Sequence, residues 1–169
     1  MRTVSRAAVV ALLLIGCVGC DQTTKAIVQA SLPTGQGYEY LGGAFRIQHA
    51  ENVGAFLSVG ASLPRGVRDV AFTLGVGAVV GALLLWVSLG RDLSTIRRLS
   101  LTAIAAGGIG NVIDRVLHDG AVTDFLYLGI GVVHTGVFNL ADVTLVLGLT
   151  GMLLERPLCA LAGNRWRGP

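Results

Sequence analysis

The sequence predicts an all-α polytopic membrane protein, with four transmembrane helices, a small extracytoplasmic β-sheet and a surface loop. Three observations carry that expectation. Only 14% of the 169 residues are charged, against about 25% in soluble domains. Hydrophobic residues make up 53% of the chain, and the mean hydropathy is +0.69. Long apolar stretches recur, and the basic residues collect on alternate connections between them. No linker, low-complexity tract or internal repeat divides the chain, so residues 1–169 read as a single membrane domain. The net charge of +3 is too small and too scattered for nucleic-acid binding, which needs a clustered basic face.

The first span, about residues 7–28, begins ambiguously. "LLLIGCVGCDQ", Leu12 to Gln22, follows Arg2 and Arg6 and ends like a bacterial lipoprotein signal peptide, lipidated on its cysteine and cut before it. Ala7 to Cys20 is 14 residues, about 21 Å of helix and too short to cross alone. The next helix breaker is Pro33, so the helix is expected to run on through "DQTTKAIVQA". That puts Asp21 and Lys25 four apart on one face. Three further apolar segments argue against a secreted lipoprotein. Three cysteines make no disulfide framework, and Cys17 and Cys20 read as small apolar residues in a helix.

The second span, Val70 to Leu89, is 20 uncharged residues, enough for about 30 Å of hydrocarbon. Its Gly77 and Gly81 form a G-x-x-x-G, expected to allow close helix packing. The third span, about 99–115, runs into Asp114 and Arg115, for which a mutual ion pair is the expected structural role. The fourth, about 137–154, is interrupted by Asn139 and Asp142. Between the first two spans, "GQGYEYLGGAFRIQHAENVGAFLS" alternates weakly, which predicts short strands in a β-rich connection over about 36–66.

Orientation follows from charge. The N-terminus, the Gly90–Arg98 loop and the C-terminal tail together hold eight basic residues against Asp92 and Glu155. The other side holds five basic residues and eight of the ten acids. The positive-inside rule therefore makes both termini cytoplasmic.

Ionisable groups in a span cost about 2.5–3.5 kcal/mol at its centre, so their positions are informative. Asp21, Lys25, Asn111, Asp114, Arg115, Asp124, Asn139 and Asp142 all fall near the outer end. Asn111 with Asp114, and Asn139 with Asp142, are three apart and share faces. His49, His118 and His134 lie in connections without a nucleophile signature, and no H-E-x-x-H zinc pattern occurs. Two carboxylates meeting in a poorly solvated place resist double ionisation, so one acts as acid and the other as base. Spacing alone leaves open which two.

"DQTTK" (21–25), "NVGAFLS" (52–58), "GGIGNVIDR" (107–115), "VTDF" (122–125) and "FNLAD" (138–142) resemble, in order, the signatures of lipoprotein signal peptidase, the type II signal peptidase of bacterial membranes. The resemblance implies a membrane aspartyl endopeptidase that cuts prolipoproteins before a diacylglyceryl-modified cysteine. It places the catalytic pair at Asp124 and Asp142. Asp21, Lys25, Asn52, Gly54, Asn111, Asp114, Arg115 and Asn139 follow as substrate-binding or site-supporting residues. It implies no metal and no cofactor; the expected partners are lipidated prolipoproteins and membrane lipids, with the chain acting as a monomer in the cytoplasmic (inner) membrane. Leu57 departs from the pattern, where an aromatic residue is expected. The competing readings are a proton-coupled transporter subunit, whose acids would form a polar path to both faces, and a non-enzymatic membrane assembly factor.

Overall fold

Four long helices carry a four-stranded antiparallel sheet at one end. The computed structural model describes residues 3–55 and 59–161. Phe56, Leu57 and Ser58 of the "NVGAFLS" motif, and Arg2, Arg165 and Arg167 of the charge argument, lie outside the described residues. The helices are α1 (Thr3–Ser31), α2 (Arg65–Leu89), α3 (Thr95–Leu117) and α4 (Leu140–Leu161). Helix α2 contains a π-helical stretch, Asp69–Gly75.

Among the described residues, Arg6–Ser31 and Arg65–Leu89 are long and apolar enough to cross a membrane. Helices α3 and α4 carry most of the buried polar residues of the bundle. Thr102, Asn111, Asp114, Asn139 and Asp142 on or beside them are buried against protein. Helix α3 is the hub, packed by α1, α2 and α4. Close approach there depends on glycine: a Cβ on Gly110 would lie 2.5 Å from Asp21 Oδ2, and one on Gly107 would run into the Ala141 carbonyl. The Gly77/Gly81 pair does not pack as expected, since a Cβ at either position meets nothing within 4 Å. The small-residue contact is made instead by α3, where a Cβ on Gly108 would strike Val80 of α2.

At the end of the bundle remote from the sheet, Ser94 caps α3 by accepting from the Arg97 N–H at 3.0 Å. Its hydroxyl donates to Glu155 Oε1 at 2.6 Å, and Arg97 donates to Glu155 Oε2 at 2.9 Å from Nε and lies 2.8 Å away through a second nitrogen. Glu155 is thus a satisfied buried anion that pins α4 to the start of α3.

The sheet order is β1 (Gly37–Tyr40), β2 (Phe45–Asn52), β3 (Val122–Ile130) and β4 (Val133–His134). The expected β-rich connection supplies only β1 and β2. The other two strands come from the 116–136 connection, which had shown no strand signal. Strand β3 opens on four consecutive buried residues, Val122 to Phe125, and because Thr123 and Asp124 are buried along with their apolar neighbours no inside–outside alternation marks it. Phe125 packs with Val28 and Leu32 at the end of α1, and with Ile47, Leu126 and Leu140 around them. This small core seats the sheet on the bundle.

Candidate active site

Three local devices bring the polar residues together. The first is a shift in strand register between Ile47 and Ala50, after which Ala50 faces Asp124. Phe125 and Leu126 turn their N–H groups to the Phe138 carbonyl, at 3.0 and 2.8 Å. The Phe138–Asn139 peptide is therefore drawn alongside β3, next to Asp124.

The second is a reciprocal cap on α4. Asn139 precedes the helix, and its Oδ1 accepts from the Asp142 N–H at 3.0 Å. Asp142 Oδ2 in turn accepts from the Asn139 N–H at 3.3 Å. This is the capping-box arrangement, with Asp in place of the usual Glu or Gln. The sequence reading had put the two residues on one helical face and started the span at about 137. The helix in fact starts at Leu140, and the pair is its cap.

The third is an ion cluster around Lys25, which is 2% exposed. Its Nζ lies 2.8 Å from Asp21 Oδ2 and 3.1 Å from Asp114 Oδ2, and donates to Asn111 Oδ1 at 3.1 Å. Each anion uses a remaining oxygen or lone pair on backbone. Asp21 accepts from the Ala141 N–H at 2.9 Å and Asp114 from the Thr123 N–H at 2.9 Å. Ala141 directly precedes Asp142, and Thr123 directly precedes Asp124. One buried ammonium thus fixes, through two carboxylates, the backbone on which both candidate catalytic residues sit.

Asp124 and Asp142 are joined by amides. Asp124 accepts from Asn52 Nδ2 at 3.0 Å and from Asn139 Nδ2 at 2.7 Å. Asp142 accepts from Asn111 Nδ2 at 3.0 Å. Asn139 also donates to Asn111 Oδ1 at 3.1 Å, which closes the network; Asn139 has no exposed surface. Burial pushes the Asp124 carboxyl up to about 7. The Asn52 hydrogen bond opposes that shift, the nearby Asp142 charge adds to it, and the Asn139 hydrogen bond opposes it again.

Asp114 and Arg115 do not pair. Successive helical residues point about 100° apart, so they serve different neighbours. Asp114 turns to Lys25, while Arg115 donates to the Gly54 carbonyl at 2.8 Å and to the Asn111 carbonyl at 3.3 Å. Its guanidinium also lies 5.9 Å from the centre of the Phe72 ring, in the π-helical stretch of α2. Gly54 is held from its other side by Asn52, whose Oδ1 accepts the Gly54 N–H at 2.9 Å. All ten residues singled out in the sequence therefore belong to this cluster. Sequence reasoning missed Gln22, which donates to Asp114 Oδ1 at 3.0 Å; an amide directly after Asp21 in a span was the available signal.

Beside Asp142 a groove of about 440 Å³ runs down α4, lined by Phe138, Val143, Val146 and Leu147 among others. Among the described residues no group of His, Cys, Asp and Glu is arranged to hold a metal ion. Removing the Asn139 side chain opens the cap and leaves Asp124 and Asn111 each short of a partner. Asn139→Ala is therefore expected to destabilise the fold by about 2–4 kcal/mol, read as a lowered melting temperature in detergent. An unchanged melting temperature would refute this account of the cap.

Residues 13–156 match the family described as signal peptidase (SPase) II. The chain is 36% identical over 134 residues to the lipoprotein signal peptidase of Desulforapulum autotrophicum, covering 78% of this chain and 81% of that one. The Treponema pallidum protein of that name is 36% identical over 79% of this chain and 74% of its own length. The Xylella fastidiosa one is 35% identical over 83% of each. Two solved structures of a bacterial membrane enzyme share the fold. One has a TM-score of 0.78 at 23% identity, covering 96% of this chain and 95% of its own, and the other 0.73 at 24%, covering 88% and 92%.

Proposed function

This chain belongs to the signal peptidase II family of membrane aspartyl endopeptidases that process lipoproteins, and we propose from that premise that Asp124 and Asp142 are its catalytic pair. The observation that carries the assignment is the shared amide network. It holds two buried carboxylates from different elements, β3 and α4, around one place, with their neighbours Thr123 and Ala141 clamped by the Lys25 cluster.

Asp142 is the base. It sits in the first turn of α4, where the helix dipole favours a carboxylate, and accepts hydrogen bonds at both oxygens. Asp124, raised to about 7, is the acid. Asp142 takes a proton from water as the water oxygen attacks the carbonyl carbon preceding the lipidated cysteine. Asp124 gives its proton to the carbonyl oxygen, forming a diol. The C–N bond then breaks as Asp142 passes its proton to the amide nitrogen and Asp124 recovers one from the diol. Asn52 and Arg115, which hold the Gly54 turn, line the approach of the substrate backbone.

The chain is a single membrane domain over 1–169 with four spans, both termini cytoplasmic and the site at the extracytoplasmic face of the inner membrane. The groove beside Asp142 takes apolar parts of the lipidated prolipoprotein, and the enzyme acts as a monomer. A proton-relay reading is less well supported, because α3 carries no ionisable residue between Arg98 and Asp114. Cleavage of a diacylglyceryl-modified prolipoprotein by the purified protein tests the activity. With Asp124 as acid, kcat/KM should fall as pH rises through about 7, because the proton to be donated is lost. A rate that keeps climbing through pH 8 would reverse the two roles.

A further inference from the structure

We propose that the end of the molecule remote from the acidic cluster binds an anionic glycerophospholipid, with its phosphate on Arg6, Arg91 and Arg98 and its acyl chains in the cleft between α1 and α2. Both helices pack on α3 and scarcely on each other, so a cleft remains with α3 as its back wall. A cavity of about 720 Å³ lies there, with Val10, Leu14 and Val87 among its apolar lining and the three arginines at its mouth. That volume falls within the roughly 300–1,000 Å³ of well-formed ligand sites.

The charge is surplus. Among the described residues, no carboxylate lies within ion-pairing distance of any of the three arginines. Glu155, a nearby acid on this side, is consumed by Arg97 and Ser94. Arg98 donates to the carbonyls of Val87 and Gly90, the latter at 2.8 Å, which orients its guanidinium at the mouth. The cleft itself is walled by Ala7, Val10, Ala11 and Leu14 of α1 and by Val87 of α2, and the faces of both helices turned away from it are apolar and exposed. Leu12 and Ile15 on α1, and Leu85 and Leu89 on α2, are each at least 63% exposed, and Trp86 between them is half-exposed, as suits the membrane interface. A free anion would use the guanidiniums and leave the cleft empty. A phospholipid satisfies both, as basic pockets between spans do for acidic headgroups.

The site is separate from the catalytic pair, and its test reads lipid binding rather than cleavage. Purified protein in neutral detergent is titrated with dioleoyl phosphatidylglycerol or dioleoyl phosphatidylcholine, and bound lipid is counted by native mass spectrometry. Phosphatidylglycerol is expected to bind more tightly. Each guanidinium near the phosphate is worth about fivefold. Arg6→Gln/Arg91→Gln, which spares the Arg98 hydrogen bonds, should then lose roughly 25-fold in phosphatidylglycerol affinity, with phosphatidylcholine binding and prolipoprotein cleavage unchanged. If the double variant does not fold, the exposed Arg91→Gln alone should lose about fivefold. Equal affinity for the two lipids overturns the proposal, as does a folded variant that keeps the preference. Displacement of the lipid by glycerol 3-phosphate at equal concentration also overturns it, since that result marks a site for soluble anions.

Discussion

Asp142→Asn and Asp124→Asn are each expected to lower turnover of a diacylglyceryl-modified prolipoprotein by about 10²–10⁴-fold, the contribution of a positioned acid or base. The substitutions keep the size of the side chain but are not silent in the network. Both oxygens of each aspartate accept hydrogen bonds from N–H groups. An asparagine must therefore point its own NH₂ at one of those donors, at a cost of about 1–3 kcal/mol. A melting curve has to accompany each assay, and a folded variant should still bind substrate. A folded variant that retains more than a tenth of parental turnover would remove that aspartate from the catalytic pair.

The second large effect is structural. Lys25→Met removes the only cation within contact of Asp21 and Asp114 among the described residues, leaving two anions that are each 1% exposed. Breaking a buried ion cluster in this way costs about 3–5 kcal/mol. Activity should fall with stability, because the two carboxylates hold the backbone beside Asp142 and Asp124. Lys25→Met/Asp114→Asn should recover part of the lost melting temperature by removing one stranded charge. If Lys25→Met melts within a degree or two of the parent, the cluster does not hold the site together.

Most of this site was legible because polar groups in a span are expensive and therefore few. Asp21 and Lys25 were visible as an i, i+4 pair, and the asparagines stood out against apolar neighbours. What sequence did not reveal was partnership. Asp114 and Arg115 are adjacent in the chain and suggested a pair, yet the helical turn sends one towards α1 and the other towards the Gly54 turn. The role of Gly77 and Gly81 was misread for a similar reason: a motif shows that a close approach is possible, and only the packing decides which helix makes it. Strand β3 was hidden because Val122 to Phe125 are buried on both faces, which erases the period of two. The pairing of Asp124 with Asn139 depends on that strand and on the β2 register shift, neither of which is a local property.

The asparagines also govern which acids can exchange protons. Asn111 and Asn139 stand between Lys25 with its two carboxylates and the Asp124–Asp142 pair. An amide donates and accepts hydrogen bonds but does not titrate in this range. The interior cluster and the reactive pair are therefore in hydrogen-bonded contact yet insulated as proton stores. A proton shuttled during a catalytic cycle must come from, and return to, water or substrate at the mouth of the site. The salt bridges that hold the scaffold can then keep their charge through every turnover.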